Sequence, residues 1–326
     1  MFRKALYAGT ASVTASLCGI VAYCADKASS RRIVYDMTED HIASLENHSD
    51  LELKFVQVFF RHGARTPLSE LKAIEPVEWK SDEVFSGAKH TYIDYEVKCL
   101  DGSPKPDARV EKLYRNHKRL HGGAHIGQLT SVGMDHCYKL GQRLRQHYQY
   151  KVQLLPKTFN HQDFYFRSTN ITRTIESLRC VVAGMCSPLK GPVDIFVSKS
   201  EEEVLYPNSH HCPILRKFQV ALYKNLDLIP GMKPHRLEMQ ELMGMSKEEQ
   251  IDFVNIRDVV KAREAHSLFI PDFLSSRMDH IDKQACNVMT YALGGRTEGN
   301  NDRDVLQMNV GNLMHLIINK PRRCCK

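Results

Sequence analysis

The sequence has no Cys-x-x-Cys pair and no repeated spacing among its 10 cysteines, so neither a zinc module nor a disulfide-dense scaffold organises it. Mostly reduced, partly buried thiols are expected, with one or two bridges left open. Repeated long apolar runs are lacking, which excludes a polytopic membrane protein. Internal repeats and low-complexity tracts are lacking too. Charge of one sign never accumulates: 45 Lys+Arg stand against 38 Asp+Glu, a net of +7, and the basic side chains are scattered. That pattern disfavours a dedicated nucleic-acid binder and supports a mild preference for anionic ligands.

What is present is an ordinary globular composition, 42% hydrophobic and 25% charged with a mean hydropathy of -0.39. The 326 residues suffice for one large or two modest domains.

The amino terminus stands apart. Arg3 and Lys4 are followed by several Ser and Thr, and the first acidic residue is Asp26. This composition suits a mitochondrial transit peptide. A rival reading takes uncharged Ala5 to Cys24 as a secretory signal or single anchor, although Gly, Ser and Thr dilute it. Residues 1–32 are therefore expected to be a leader outside the fold, without a stable membrane span.

Leu53 to Phe60 is dense in Val and Phe and ends at Arg61-His62-Gly63, which predicts a buried strand opening into a loop. Residues 70–127 carry many Pro and Gly and predict a long irregular excursion. Thr130 offers an N-cap to an amphipathic helix with Cys137, Leu140, Gly141, Leu144 and Tyr148 on one face. Phe164 to Phe166 predicts a second strand, followed by a helix through Ile171, Ile175, Leu178 and Val182. Val193 to Ser198 predicts a third strand. Strand, polar loop and helix alternate, so an α/β body is expected, with its chemistry at strand ends. Residues 209–280 predict a smaller helical unit, whose Met232, Met239, Met243 and Met245 are expected to fill a core. Pro321 is expected to end the last helix and leave residues 319–326 as a tail.

The string Arg61-His62-Gly63-Ala64-Arg65-Thr66-Pro67 places two arginines around a histidine just after a strand. Paired guanidinium groups hold phosphate oxygens through parallel hydrogen bonds and neutralise their charge. A neutral imidazole with one nitrogen fixed as a donor is then a competent nucleophile through the other. Gly63 is expected to let the backbone bend tightly there.

This string resembles the signature of the histidine acid phosphatase family, a branch of the histidine phosphatases. The likeness extends through Pro104-Lys105-Pro106, Gly122-Gly123, Gly127 to Thr130, Phe166 to Asn170 and Glu203 to Asn208, and covers roughly Leu51 to Val310. It implies an α/β body with a smaller helical cap over 51–318, a phosphohistidine intermediate on His62, and phosphate binding by Arg61, Arg65 and Arg167. Arg173 matches a family position too, where a structural role is expected. No metal or other cofactor is implied. The implied substrate is a phosphate monoester, lysophosphatidic acid in particular, and the implied location is the mitochondrion.

The family also places a His-Asp dipeptide after a later strand, the Asp protonating the leaving alkoxide. No His-Asp dipeptide occurs in this sequence. His280, between Asp279 and Asp282, stands in a helical, charged context and is not assigned that role. His121, His125, His210, His211 and Cys212 lack a third metal ligand at standard spacing. The expectation is a form lacking its last core strand or strands. General-acid assistance contributes about 10²–10⁴ in rate, so slow turnover or phosphoester binding without efficient turnover is the alternative to full activity. A phytase-like or mutase-like preference for a small polar phosphoester is a third reading.

Overall fold

Strand β3, Leu51–Phe60, is the element from which the candidate site hangs. The computed structural model describes residues 18–26, 32–37, 51–108, 111–112, 119–294 and 302–324. In it β3 is flanked by β1, Cys18–Asp26, which in turn pairs with β2, Arg32–Met37, in an antiparallel sheet of order β2-β1-β3. The β1–β3 register runs from Cys18↔Phe60 to Asp26↔Leu51 and shifts between Tyr23 and Cys24. β1 thus lies inside the stretch read as a leader; residues 1–17 and 27–31 of that stretch fall outside the described residues.

A second, parallel sheet joins β4, Tyr95–Cys99, to β5, Val193–Val197. β5 was expected. β4 lies in the excursion predicted to be irregular, yet Tyr95-Glu96-Val97-Lys98-Cys99 alternates apolar and charged residues with the two-residue period of a half-buried strand. The strand expected at Phe164 to Phe166 is reduced to a single parallel bridge, Arg167↔Phe196. The Phe196 N–H donates to the Phe166 carbonyl and the Ser168 N–H to the Phe196 carbonyl, both at 2.9 Å.

Two helices back this body. α1, Ser131–Arg145, starts at the expected cap: the Gly133 N–H donates to Thr130 Oγ1 at 3.2 Å. α2, Thr172–Cys186, is buried on most of its surface from Ile175 onward. A side chain at Gly141 would strike the Val181 carbonyl, and one at Gly184 the Tyr138 carbonyl. The two glycines therefore let the helix backbones touch. Cys137, Cys180, Val182, Ile195 and Val197 form the core between these helices and the strands.

The helical unit comprises α3, Pro213–Lys224, α4, Met232–Leu242, α5, Phe253–Ala265, and α6, Met278–Gly294. Met232, Met239 and Met243 are buried with Phe253, Ile256, Val260, Leu274 and Ile281, so the methionines fill a core as expected. Among the described residues Cys99, Cys137, Cys180, Cys186, Cys212 and Cys286 are free thiols.

Helix α7, Asn312–Cys324, corrects one expectation, since it continues through Pro321. Proline removes the N–H that would bond the carbonyl four residues back. That carbonyl, on Ile317, accepts instead from Gln57 Nε2 at 2.9 Å. A β3 side chain thus reaches the carbonyl that Pro321 cannot bond.

The loop after β3 is wedged against α1. A side chain on Gly63 would meet the Gly133 backbone, and one on Gly133 the Ala64 backbone. Gly63 serves close approach here, not the tight bend the sequence suggested. Gly63→Ala or Gly133→Ala forces backbone apart and is expected to cost about 1–3 kcal/mol in urea denaturation. Gly191→Ala meets nothing within 4 Å and is expected to stay within about 0.5 kcal/mol of the parent.

Candidate active site

The loop carrying Arg61 to Pro67 is fixed by backbone contacts on both sides. Thr66 N–H donates to the Gln128 carbonyl at 3.0 Å and Thr130 N–H to the Ala64 carbonyl at 3.1 Å. The Thr66 hydroxyl donates to the His125 carbonyl at 2.7 Å and accepts from Gln128 N–H at 2.9 Å. From α2, Ser177 Oγ accepts the Gly63 N–H at 3.0 Å and donates to the Arg173 carbonyl at 2.7 Å. Each polar group of a buried loop has to find such a partner. The loop is consequently held on α1 and α2 alike.

His62 Nδ1 lies 2.9 Å from the Gly63 carbonyl. A carbonyl only accepts, so Nδ1 carries the proton and Nε2 carries the lone pair. Arg65 Nε–H lies 3.3 Å from Nε2, and a guanidinium only donates, which gives the same tautomer. Burial, then the adjacent Arg65, and further Arg61 and Arg173 push the His62 pKa down to about 3, against the bond to Gly63. The ring is neutral across the physiological range.

Cations crowd this ring. Burial first, then Arg65, Arg257 and Arg173 lower the Arg61 pKa, while Asp258 raises it. Four guanidinium groups, Arg61, Arg65, Arg173 and Arg257, therefore act on one loop tip. Such a cluster concentrates positive potential where an anion can sit. Arg65 is 6% exposed and pairs with Asp258 through both terminal nitrogens, Nη2 to Oδ1 at 2.7 Å and Nη1 to Oδ2 at 3.1 Å. Nη1 also donates to the Thr66 carbonyl at 2.9 Å. Arg257 pairs with Asp282 at 2.7 Å.

The structure thus brings Arg61, His62 and Arg65 together and adds Arg173, which sequence reading had given a structural role. Arg167 pairs with Glu203, its Nη2 donating to Oε1 at 3.3 Å. Glu203 is nearly sealed and its Oε1 also accepts the Val204 and Leu205 N–H groups, both at 2.9 Å. Sequence reading missed Arg257 and Asp258. Both sit on α5, whose Phe253, Ile256, Val259 and Val260 announce a core-facing helix, and its polar positions gave no separate signal.

Among the described residues one trio could offer metal-ligating atoms together, His235, Glu238 and His280. It belongs to the helical unit, and Arg277 Nε already donates to Glu238 at 3.0 Å. A fixed cation there works against a second one. No helix of the described residues is long and apolar enough to cross a membrane.

A family profile described as "Histidine phosphatase superfamily (branch 2)" matches residues 52–251. The chain is 38% identical over 272 residues to "Lysophosphatidic acid phosphatase type 6" of Homo sapiens, covering 83% of this chain and 62% of that one. The Mus musculus protein of the same name is 35% identical over 267 residues, covering 82% and 62%. "Prostatic acid phosphatase" of Homo sapiens is 22% identical over 237 residues, covering 68% and 50%. The chain therefore spans 62% or less of the length of these relatives.

The depressed His62 pKa has a measurable consequence for stability. Between the ordinary 6.5 and about 3, the unfolded chain takes up a proton on this ring and the folded chain does not. Stability from His62 is therefore present above pH 6.5 and is lost as pH falls below it. Without phosphate, lowering pH from 7 to 5 is expected to cost the parent about 2 kcal/mol through this group. His62→Asn is expected to remove that part of the slope in paired urea titrations; an unchanged slope contradicts the neutral ring.

Proposed function

The chain belongs to the histidine phosphatase superfamily, branch 2, and from that premise we propose that it hydrolyses phosphate monoesters through a phosphohistidine on His62. The observation that carries the proposal is the tautomer: Nδ1–H rests on the Gly63 carbonyl and Nε2 presents its lone pair among arginines. In the first step Nε2 attacks phosphorus, a P–N bond forms, and the ester P–O bond breaks with its electron pair on the departing alkoxide, which takes a proton from solvent water. In the second, water attacks phosphorus and gives a proton to solvent, the P–N bond breaks, and inorganic phosphate leaves with the imidazole restored. Arg61, Arg65 and Arg173 stabilise the charge that the phosphoryl oxygens carry through both steps. Arg167 belongs to the proposal as a further phosphate-binding arginine on the strength of the Arg167-Ser168-Thr169 string.

Lysophosphatidic acid is the proposed substrate, to be converted to monoacylglycerol. Support comes from the relatives named lysophosphatidic acid phosphatase type 6, at 35–38% identity, and from the cationic loop tip. Delivery to the mitochondrion is part of the same proposal, supported by the basic, Ser- and Thr-rich residues 1–24. The second reading, phosphoester binding without efficient turnover, draws on one specific contact: Arg65 Nε–H occupies the lone pair that would attack.

The two readings separate in a quench experiment with a labelled aryl phosphate. Acid-labile label on the parent, and none on His62→Ala with parent-like folding, is the expected result. Aryl esters, whose leaving groups need no proton, are expected to outpace alkyl esters by about 10²–10⁴. Bound phosphate without label favours the binding protein, and unchanged hydrolysis by His62→Ala refutes the phosphohistidine.

A further inference from the structure

Arg65 has two hydrogen-bonding edges. The end edge, formed by Nη1 and Nη2, meets Asp258 at 3.1 and 2.7 Å. The side edge, formed by Nε and the second hydrogen of Nη2, faces His62, with Nε 3.3 Å from the attacking nitrogen. A phosphoryl group bonded to Nε2 and held by Arg65 needs that side edge. From this geometry we infer that Asp258 is a positioning residue, which occupies the end edge of Arg65 and so turns the side edge toward His62. The inference rests on reading the His62 loop as the phosphoryl site.

Asp258 is well placed to hold this orientation. Its Oδ2 also accepts the Leu68 N–H at 3.1 Å, so the carboxylate is tied to the loop exit as well as to the arginine. Both oxygens are engaged, and neither is turned to carry a proton to a leaving group. The pair is mostly shielded, Arg65 at 6% and Asp258 at 17% exposure, which strengthens a bidentate contact relative to one in open water. Asp258 comes from α5, and three more side chains of that helix region reach the body. Asn255 Oδ1 accepts from the Ser69 hydroxyl at 2.6 Å. Arg263 Nη2 donates to the Glu75 carbonyl at 2.8 Å, and His266 Nε2 lies 2.8 Å from Thr130 Oγ1. The helical unit is thereby the outer jaw that sets the angle of a guanidinium in the body.

A positioning role differs from a binding role in what it changes. Asp258→Asn leaves all four arginines charged, so affinity for inorganic phosphate is expected to stay within threefold of the parent by calorimetry. The rate at which an aryl phosphate labels His62 in a single turnover is expected to fall at least tenfold. Asp258→Glu, which keeps the charge and moves it by one methylene, is expected to recover part of that rate. Parent-like labelling by Asp258→Asn overturns the inference, as does a loss of phosphate affinity that matches the loss of rate. Should Asp258→Asn fail to fold, Asp258→Glu decides: slower labelling at unchanged phosphate affinity supports the inference, and unchanged labelling overturns it. A parent that neither binds phosphate nor takes label overturns the reading of the site, and the inference with it.

Discussion

The site depends on an imidazole that stays neutral among cations. Two constraints combine to produce this. The Gly63 carbonyl takes the Nδ1 proton and fixes the tautomer, while burial and three arginines make a second proton unfavourable. The charges that keep His62 unprotonated are also those an incoming phosphate dianion would need. An anion arriving at the loop tip offsets the repulsion among these cations. The cost of crowding Arg61, Arg65, Arg173 and Arg257 is therefore borne before the anion binds, and preorganised cations need little rearrangement when it does.

Holding that arrangement requires rigidity from two directions. On the body side, Gly63 and Gly133 allow loop and helix backbones to touch, and Ser177, Thr66 and Thr130 satisfy the polar groups this contact would bury. On the other side, α5 reaches over with Asp258. A longer residue at position 63 would push the loop away from α1, and every bond from Thr66 to Thr130 would shift with it. Close packing makes the position of one ring depend on several distant backbone contacts.

The sequence made the strand, loop and helix at residues 51–67 and 130–145 legible, because apolar runs and an N-cap mark them locally. The grouping of His62 with Arg61 and Arg65 was legible for the same reason: it lies in contiguous residues. Arg257 and Asp258 were not. Their neighbours in the site are nearly 200 positions away in the chain, and on an amphipathic helix a charged pair reads as an ordinary solvated face. Arg173 was visible, but its electrostatic effect on Arg61 and His62 comes from tertiary placement, which an arginine in the first turn of a helix does not announce. β4 was missed although its alternation was present, because the surrounding Pro and Gly outweighed five residues of pattern. Pro321 misled in the opposite direction: a rule about local backbone gave way to a tertiary bond from Gln57.

In the proposed reaction, the two halves of ester cleavage make different demands on this site. Attack needs a lone pair, an aligned phosphorus and cations, and each has a named group. Departure of an alkoxide needs a proton delivered on the far side of phosphorus from Nε2. Two carboxylates next to the arginines hold them in place: Asp258 offers both oxygens to Arg65 and Leu68, and Glu203 Oε1 takes Arg167 with two backbone N–H groups. Moving either to protonate a leaving group would release the arginine it holds, exchanging an electrostatic contribution for an acid one. Under the proposed mechanism, a dependence on leaving-group acidity would follow from holding Asp258 on Arg65.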